Sequence, residues 1–422
     1  NEDIYYDRYI YPLYDSSAYQ KQVSNMAPDF YNVQVDYVNA FNEKFKLEAG
    51  YKTDIQREGS PVSTYAGATE DNLELVEELY NDFIYNRDVH ALYATFSGRI
   101  DKFGFQVGLR GENTKVYTQS LAYGQTVNDV EPHVTSDFDL FPSAFLTYQL
   151  PNDNEIQLSY TRRISRPFGG QLNSFVNISD PLNVSYGNPE LTPSYSNALE
   201  LNYMKMWHNH LASASLYYRN TDDVRQRIKY LGADNVMYTT WENVTFDKSA
   251  GAEFVVKNTF NNIVDLTTTV NMFYYEIDSF NYFIPEVQKY VTGDASSDFS
   301  WNARLIASVN IPKVISIQVT GRYNARQVVA QGYREPGYSL DIGIRKSFGD
   351  LSFSLSGRDI LNSRKTHNIS YGEGFMQETN RRRGGWQVGL TVTYGFGNMK
   401  AKKNPNMGGD SIQVNDGYSE EY

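Results

Sequence analysis

In the stretch VISIQVTGRYNAR (314–326) the side chains take turns between two kinds. Ile315, Ile317, Val319, Tyr323 and Ala325 form one set, and Ser316, Gln318, Thr320, Arg322, Asn324 and Arg326 the other. Successive side chains of an extended chain point to opposite faces, so this is a β-strand with one apolar and one polar face. The alternation recurs. Leu351, Phe353 and Leu355 alternate with Ser352, Ser354, Ser356 and Arg358. Trp386, Val388, Leu390, Val392, Tyr394 and Phe396 alternate with Gln387, Gly389, Thr391, Thr393 and Gly395. The runs Phe45/Leu47/Ala49/Tyr51, Phe103/Phe105/Val107/Leu109 and Ile156/Leu158/Tyr160 repeat it.

A soluble sandwich also alternates, so strand length and connections decide. The expected strands run about 10–14 residues, against ~5–6 in globular sheets and ~9–11 for a tilted membrane span. Tight turns fall near 41–44, 100–103, 151–154, 207–210, 260–263, 311–314 and 348–350. Long polar segments lie near 58–83, 121–137, 166–194, 228–248, 278–298 and 363–383. Short turns at one end and long loops at the other predict an all-β antiparallel transmembrane barrel, turns periplasmic and loops extracellular.

Composition agrees. The chain has 422 residues, 35 Tyr, 23 Phe, 4 Trp and no Cys, with a net charge of −12. Its mean hydropathy is −0.54, which a barrel produces because only alternate residues meet lipid. No apolar run is long enough for a transmembrane helix. The acidic balance argues against nucleic acid, and the absence of Cys excludes disulfides and thiol chemistry. The opening NEDIYYDRYI has no secretory leader, so the start is either mature or internal.

The strands number about fifteen. The first clear one, 31–41, runs down into a short turn, and the last ends at Phe396. An odd count with ends on opposite sides implies further strands upstream; a complete barrel of about fourteen is the alternative. The expected division is a lead-in segment 1–30 on the extracellular side, a barrel 31–397, and a polar periplasmic tail 398–422.

The segment SYTRRISRPFGGQLNSFVNISDPLNVSYGNPELTPSYSNALELNY (159–203) contains Ser165-Arg166-Pro167, Asp180-Pro181 and Gly187-Asn188-Pro189-Glu190-Leu191-Thr192-Pro193. It resembles the signature of the outer-membrane β-barrel family at the C-terminus of TonB-dependent receptors in Bacteroidota. NEKFKLEAGYK (42–52) and the closing TYGFGN with its Lys-rich tail (393–403) also match. The resemblance implies a barrel of about 22 strands, an N-terminal plug, often a carboxypeptidase-regulatory-like domain (a fold name only), and TonB as partner through an N-terminal region. Neither plug nor TonB box stands in this sequence. Physically, the Pro steps of Arg166-Pro167, Pro189 and Pro193 stop ladder pairing and fix where the chain leaves the sheet.

Several residues are candidates for a role. Lys46, Glu48, Arg110, Glu112, Arg163, Arg322, Arg326 and Arg358 are expected to face the lumen, where they line a solute path, hold a plug, or simply sit in water. Tyr51, Tyr160, Trp386, Tyr394 and Phe396 read as interface aromatics. Leu75, Val76 and Leu79, with Asp71 and Glu74 as a capping box, predict a short loop helix. Arg381-Arg382-Arg383 fits lipopolysaccharide phosphates or a solvated rim. His208 and His210 make a poor metal pair without a third ligand. The aromatic-rich 278–290 either stacks on a solute or packs on itself. No nucleophile elbow, phosphate loop or zinc-helix motif appears, so neither enzyme activity nor a cofactor is expected.

Two functions remain open. One is import of a solute (an iron chelate, glycan, peptide or cobalamin-like compound), with lipid, lipopolysaccharide and a surface lipoprotein as further partners. The other is a barrel that scaffolds an outer-membrane assembly or secretion complex.

Overall fold

The computed structural model describes residues 2–8, 18–26, 28–178, 180, 182–284, 288–382 and 384–396. The tail 398–422 and Arg383 lie outside them, as do several residues of the 1–30 segment. The main sheet has nineteen strands. Four are short: Glu2–Arg8, Ala18–Ser24, Glu74–Leu75 and Asn183–Ser185. The remaining fifteen follow one another as an antiparallel meander from Asp29–Ala40 to Gln387–Tyr394. Among the described residues, these two outermost strands pair on one side only.

All seven expected tight turns occur. Six of them use residues in the left-handed region, since Asp101, Asn152, Asp153, His208, Asn261, Asn262, Lys313 and Gly349 all have positive φ. In the 41–44 turn, Asn42 Oδ1 accepts the Lys44 and Phe45 amides at 2.8 and 3.0 Å. Short Asp and Asn side chains, and Gly above all, make such two-residue reversals inexpensive.

Cross-strand partners share a face, so the register assigns every side chain. Tyr160 lies opposite Leu199, which lies opposite Tyr218; Leu158, Leu201 and Leu216 form the row below. Thr161, Ala198 and Arg219 form a row on the opposite face. The distribution inverts that of a water-soluble protein. Leu92, Leu216 and Leu390 are 68%, 59% and 67% exposed, while Glu112, Ser215 and Asp341 on the polar face are 7%, 6% and 5% exposed. Large aliphatic side chains in a continuous exposed band require a non-aqueous neighbour.

Many strands are longer than their sequence suggests, up to 24 residues in Met237–Phe260, while Leu351–Arg358 and Gln387–Tyr394 are shorter, at 8 each. The segments expected as loops at 58–83 and 228–248 are largely ladder. Phe45–Gly67 continues to pair with Asn81–Ile100, and His210–Leu231 with Met237–Phe260. Above the apolar band neither face meets lipid, the long alternating pattern fades, and a protruding hairpin reads like a loop. The 1–30 segment likewise contains a hairpin, Glu2–Arg8 with Ala18–Ser24, the latter laid against the upper part of Phe45–Gly67.

The expected helix around 71–80 is reduced to one 3-10 turn, Glu77–Leu79, preceded by Val76 with no side-chain cap. Glu74 and Leu75 pair instead with Ala66 and Tyr65, and the Val76 amide donates to the Thr64 carbonyl at 2.8 Å. A ready ladder edge offers backbone partners at once, whereas an isolated short helix must first nucleate.

Two small sheets complete the fold: Phe280–Ile284 with Lys289–Gly293, and a four-stranded one of Gln327–Val329, Gly332–Arg334, Thr366–Gly372 and Phe375–Arg381. Replacing Leu201, in the middle of the apolar band, by Arg should cost about 2–4 kcal/mol in reversible unfolding from phospholipid. Glu200→Gln on the other face should cost less than about 0.5 kcal/mol. Equal losses would refute the face assignment.

Candidate functional site

The loops between long strands are packed. Ile228, Tyr230, Phe280, Ile284, Val291 and Ala330 form one buried cluster, with Tyr282 and Tyr238 against it. Of the aromatic segment 278–290, Phe280, Tyr282 and Ile284 pack on the molecule itself. Phe283 and Tyr290 meet at 5.0 Å between ring centres but stay exposed, and 285–287 lie outside the described residues. A bulge sets this up. The ladder shifts register between Thr221 and Arg225, with Asp223 at φ 55°, which re-aims the upper hairpin so that Val224, Ile228 and Tyr230 are buried. Lys229 clamps the hairpin to the four-stranded sheet through Gln377 Oε1 at 2.7 Å, and its amide donates to Gln331 Oε1 at 2.7 Å. Burial, with Arg227 adding to it, holds the Lys229 ammonium below its usual range.

The residues of the 159–203 signature form a brace. Pro167 ends the ladder right after Ser165 and is buried, and the chain enters the short helix Gly169–Leu172. The Gly187 amide donates to Asn173 O at 2.8 Å and that of Asn188 to Gln171 O at 2.7 Å. A Cβ at Gly187 would lie 2.4 Å from Gln171 O, so only glycine permits this approach. Asn188 Nδ2 donates to Glu242 Oε2 at 2.8 Å, Leu191 is buried with Phe83, Tyr85 and Leu172, and Pro193 sits just before Ser194–Trp207. Pro189 is half-buried in the turn between them.

Arg166 carries the brace to the wall. Its Nη2 lies 2.6 Å from Glu112 Oε2 and 2.9 Å from Thr114 Oγ1, while Arg110 Nε reaches Glu112 Oε1 at 2.5 Å. One buried carboxylate thus joins two guanidiniums from separate parts of the chain. A cavity of about 550 Å³ beside it runs to Phe30, Tyr31 and Asn32 on the outermost strand.

The other candidates spread along the same polar face. Lys46 pairs with Glu48 at 3.0 Å. Arg163 stands exposed opposite Ser196. Arg322 Nη1 is 3.6 Å from Asp341 Oδ2. Arg326 leaves the strand to stack on the Tyr333 ring, 3.6 Å from its centre. Arg358 is brought together with Arg322 in a larger chamber of about 830 Å³. Five further cations line it (Arg219, Arg304, Arg334, Arg364 and Lys365), against the lining carboxylates Asp247 and Glu335. Sequence inspection missed those five cations, because they come from strands and loops separated by up to about 150 residues. The alternation does carry a signal, since Arg219 and Arg304 fall on the polar set of their strands.

On the apolar face, Tyr51 and Tyr160 stand at the top of the band. Their hydroxyls reach the next, polar row: Tyr51 to His90 Nδ1 at 2.8 Å and Tyr160 to Asn197 Oδ1 at 2.9 Å. Tyr274 does the same to Ser297. Tyr394 and Phe396 stand exposed at the short-turn end, and Trp386 just before the last strand's upper end. At the short-turn end the structure adds aromatic groups that the sequence did not single out: Phe45 with Phe96 and Phe105, and Trp207 with His210 and Phe260. His210 Nδ1 is 2.9 Å from Asn258 Oδ1. Arg381 and Arg382 are exposed.

Glu112→Gln should cost about 2–3 kcal/mol, a value lowered for the partial exposure of Arg110, because two guanidiniums lose their counter-charge. The check is unfolding in detergent together with proteolysis of the 168–193 loop. Unchanged stability and cleavage would mean that the junction carries no weight.

Comparison with known proteins fits this geometry. The outer membrane protein beta-barrel family matches residues 1–394. No curated protein sequence matches the chain. Among solved structures it is similar to the ferric yersiniabactin uptake receptor FyuA from Yersinia pestis: 13% identity, 90% of this chain, 55% of that one, TM-score 0.57. It is similar to the siderophore receptor PiuA from Acinetobacter baumannii at 11% identity, covering 90% of this chain and 56% of that one, TM-score 0.58. The copper transporter OprC gives 11%, 90%, 60% and 0.57. At such identities the likeness is one of fold alone. The chain spans a little over half the length of these proteins, as a large part of an antiparallel barrel wall. By a match extending over almost its whole length, the chain belongs to the outer membrane protein beta-barrel family.

Proposed function

We propose that this chain is the barrel portion of a TonB-dependent transporter that imports a solute across the bacterial outer membrane. The observation that carries the reading is a wall with the receptor-barrel fold whose polar face holds roofed, charge-lined cavities. A partly covered, charge-lined chamber on that face suits solute passage better than scaffolding.

On this reading the polar face is the lumen. Lys46, Glu48, Arg110, Glu112, Arg163, Arg322, Arg326 and Arg358 then line the path or meet a plug. The two unpaired outer strands join further strands of the same protein, about seven if the whole has about 22, and the plug and TonB-contacting region precede them. The Tyr51–Tyr160 row and the aromatic groups at the short-turn end mark the two lipid–water boundaries. Long loops face outward, where Arg381 and Arg382 meet lipopolysaccharide phosphates and a surface lipoprotein docks. The classes of cargo that such a path could take are metal chelates, glycans, peptides and cobalamin-like compounds.

The chain has no Cys, so single cysteines report topology cleanly. Asn235→Cys at a long-hairpin tip should react with a membrane-impermeant maleimide on whole cells, and Asn209→Cys in a short turn only after the membrane is breached. The reverse pattern would refute the orientation. Deletion strains should lose protonophore-sensitive uptake of at least one labelled solute from a panel of metal chelates, oligosaccharides and peptides. Identical uptake across the panel would refute import.

A further inference from the structure

We infer that the 830 Å³ chamber is a binding site for a small oxyanion, a molecule carrying carboxylate or phosphate groups. The inference rests on the import reading only for what the ligand is for. The site itself stands on charge, geometry and size.

Charge comes first. The chain as a whole is acidic, at −12, yet this chamber gathers seven cations against two lining carboxylates. Even counting Asp341, the partner of Arg322, positive charge stays in excess. Walls of low polarizability focus such a field into the cavity. Six of the seven are arginines, whose planar fork matches the two oxygens of a carboxylate or the edge of a phosphate.

Geometry comes second. The cations belong to two bodies. Arg219, Arg304, Arg322 and Arg358 project from four wall strands, on the polar set that also includes Tyr217, Phe273 and Tyr275. Arg334 belongs to the four-stranded loop sheet, held by Asn368 Oδ1 at 3.4 Å from its Nε. Arg364 and Lys365 follow a turn that Asp359 fixes: its carboxylate accepts the Ser363 and Arg364 amides at 3.0 Å each, and its own amide donates to Asp341 Oδ1 at 2.8 Å. An anion in the chamber therefore meets positive groups from the wall and from the roof, an arrangement that a flat basic patch lacks.

Size comes third. The volume is that of a small-molecule cleft, roofed by the molecule's own loops. Tyr217 and Tyr275 are spoken for by Asn271 and Asp247, so their rings offer apolar walls and leave ligand oxygens to the guanidiniums. An acidic protein segment is the competing occupant of such a lumen. The partial cover that Arg334, Glu335 and Thr366 give the chamber favours the small molecule.

The test uses the intact protein in lipopolysaccharide-free detergent micelles, titrated calorimetrically with propane-1,2,3-tricarboxylate and with inorganic pyrophosphate. At least one should bind; the two arms tell a carboxylate site from a phosphate site. Arg304→Gln or Arg358→Gln on the wall, and Arg334→Gln on the roof, should each weaken binding about tenfold. Lys44→Gln, in an exposed short turn far from the chamber, should leave affinity unchanged. Failure of both anions to bind the folded protein overturns the site. So does a loss with Lys44→Gln equal to the others, which would mean diffuse attraction. Binding without uptake would leave the chamber standing and remove import; uptake of a solute without oxyanion binding would do the opposite.

Discussion

Everything in this molecule depends on lateral pairing of backbone groups. A strand in hydrocarbon has no water to satisfy its amides and carbonyls, and each unpaired group costs several kcal/mol. Fourteen successive strand pairings meet that need across the wall, from Asp29–Ala40 to Gln387–Tyr394. The two outermost strands, exposed along nearly their whole length, meet it on one side only among the described residues. In a membrane those edges require partners, so closure is a physical demand of the sheet as well as a family trait.

Pairing also explains what could be read from the sequence. A ladder forces period-two alternation wherever its faces meet different solvents, and that region, from the short turns up to about the Tyr51–Tyr160 row, was legible strand by strand. The turns were legible because reversal in two residues selects Asn, Asp and Gly: Asn152-Asp153 and Asn261-Asn262 have no other reason to stand where they do. Above that row no face meets lipid, and side chains meet either water or a local core, as Phe83, Tyr85, Ile228 and Tyr230 do. Periodicity vanishes there although the ladder continues, which is why Met237–Phe260 looked like a loop in its upper half. The helix near 71–80 failed for a related cause, since local spacing competes poorly with an open strand edge alongside.

The candidate site was legible only in part. Arg322 and Arg358 stood out because each lies in a clean alternating run. Arg334, Arg364 and Lys365 lie in loops, where no periodicity says which way a side chain points. Their convergence with wall arginines follows from the four-stranded loop sheet, whose members lie up to about fifty residues apart in sequence. The signature at 159–203 misleads in the other direction. Its most recognisable residues, Arg166, Gly187 and Asn188, are engaged with Glu112, Asn173 and Glu242 of the same chain. Such internal contacts hold the loop in its shape.

That distinction bears on how a chamber so far from the short-turn end keeps its form. Long loops are ordinarily the least ordered part of a protein, and a site built on mobile loops pays an ordering cost on each binding event. Here the upper hairpin, the Phe280–Gly293 pair and the four-stranded sheet share one apolar cluster and the Lys229 clamp, while the Arg166–Glu112 junction fixes the neighbouring loop to the wall. The roof is therefore a second small core, built from the same strands whose lower halves face lipid. Stability lower down comes from the bilayer and the ladder; higher up it comes from burial, with the bulge at Asp223 switching the hairpin from one regime to the other. A wall that carries its own roof presents its cations in place before any ligand arrives.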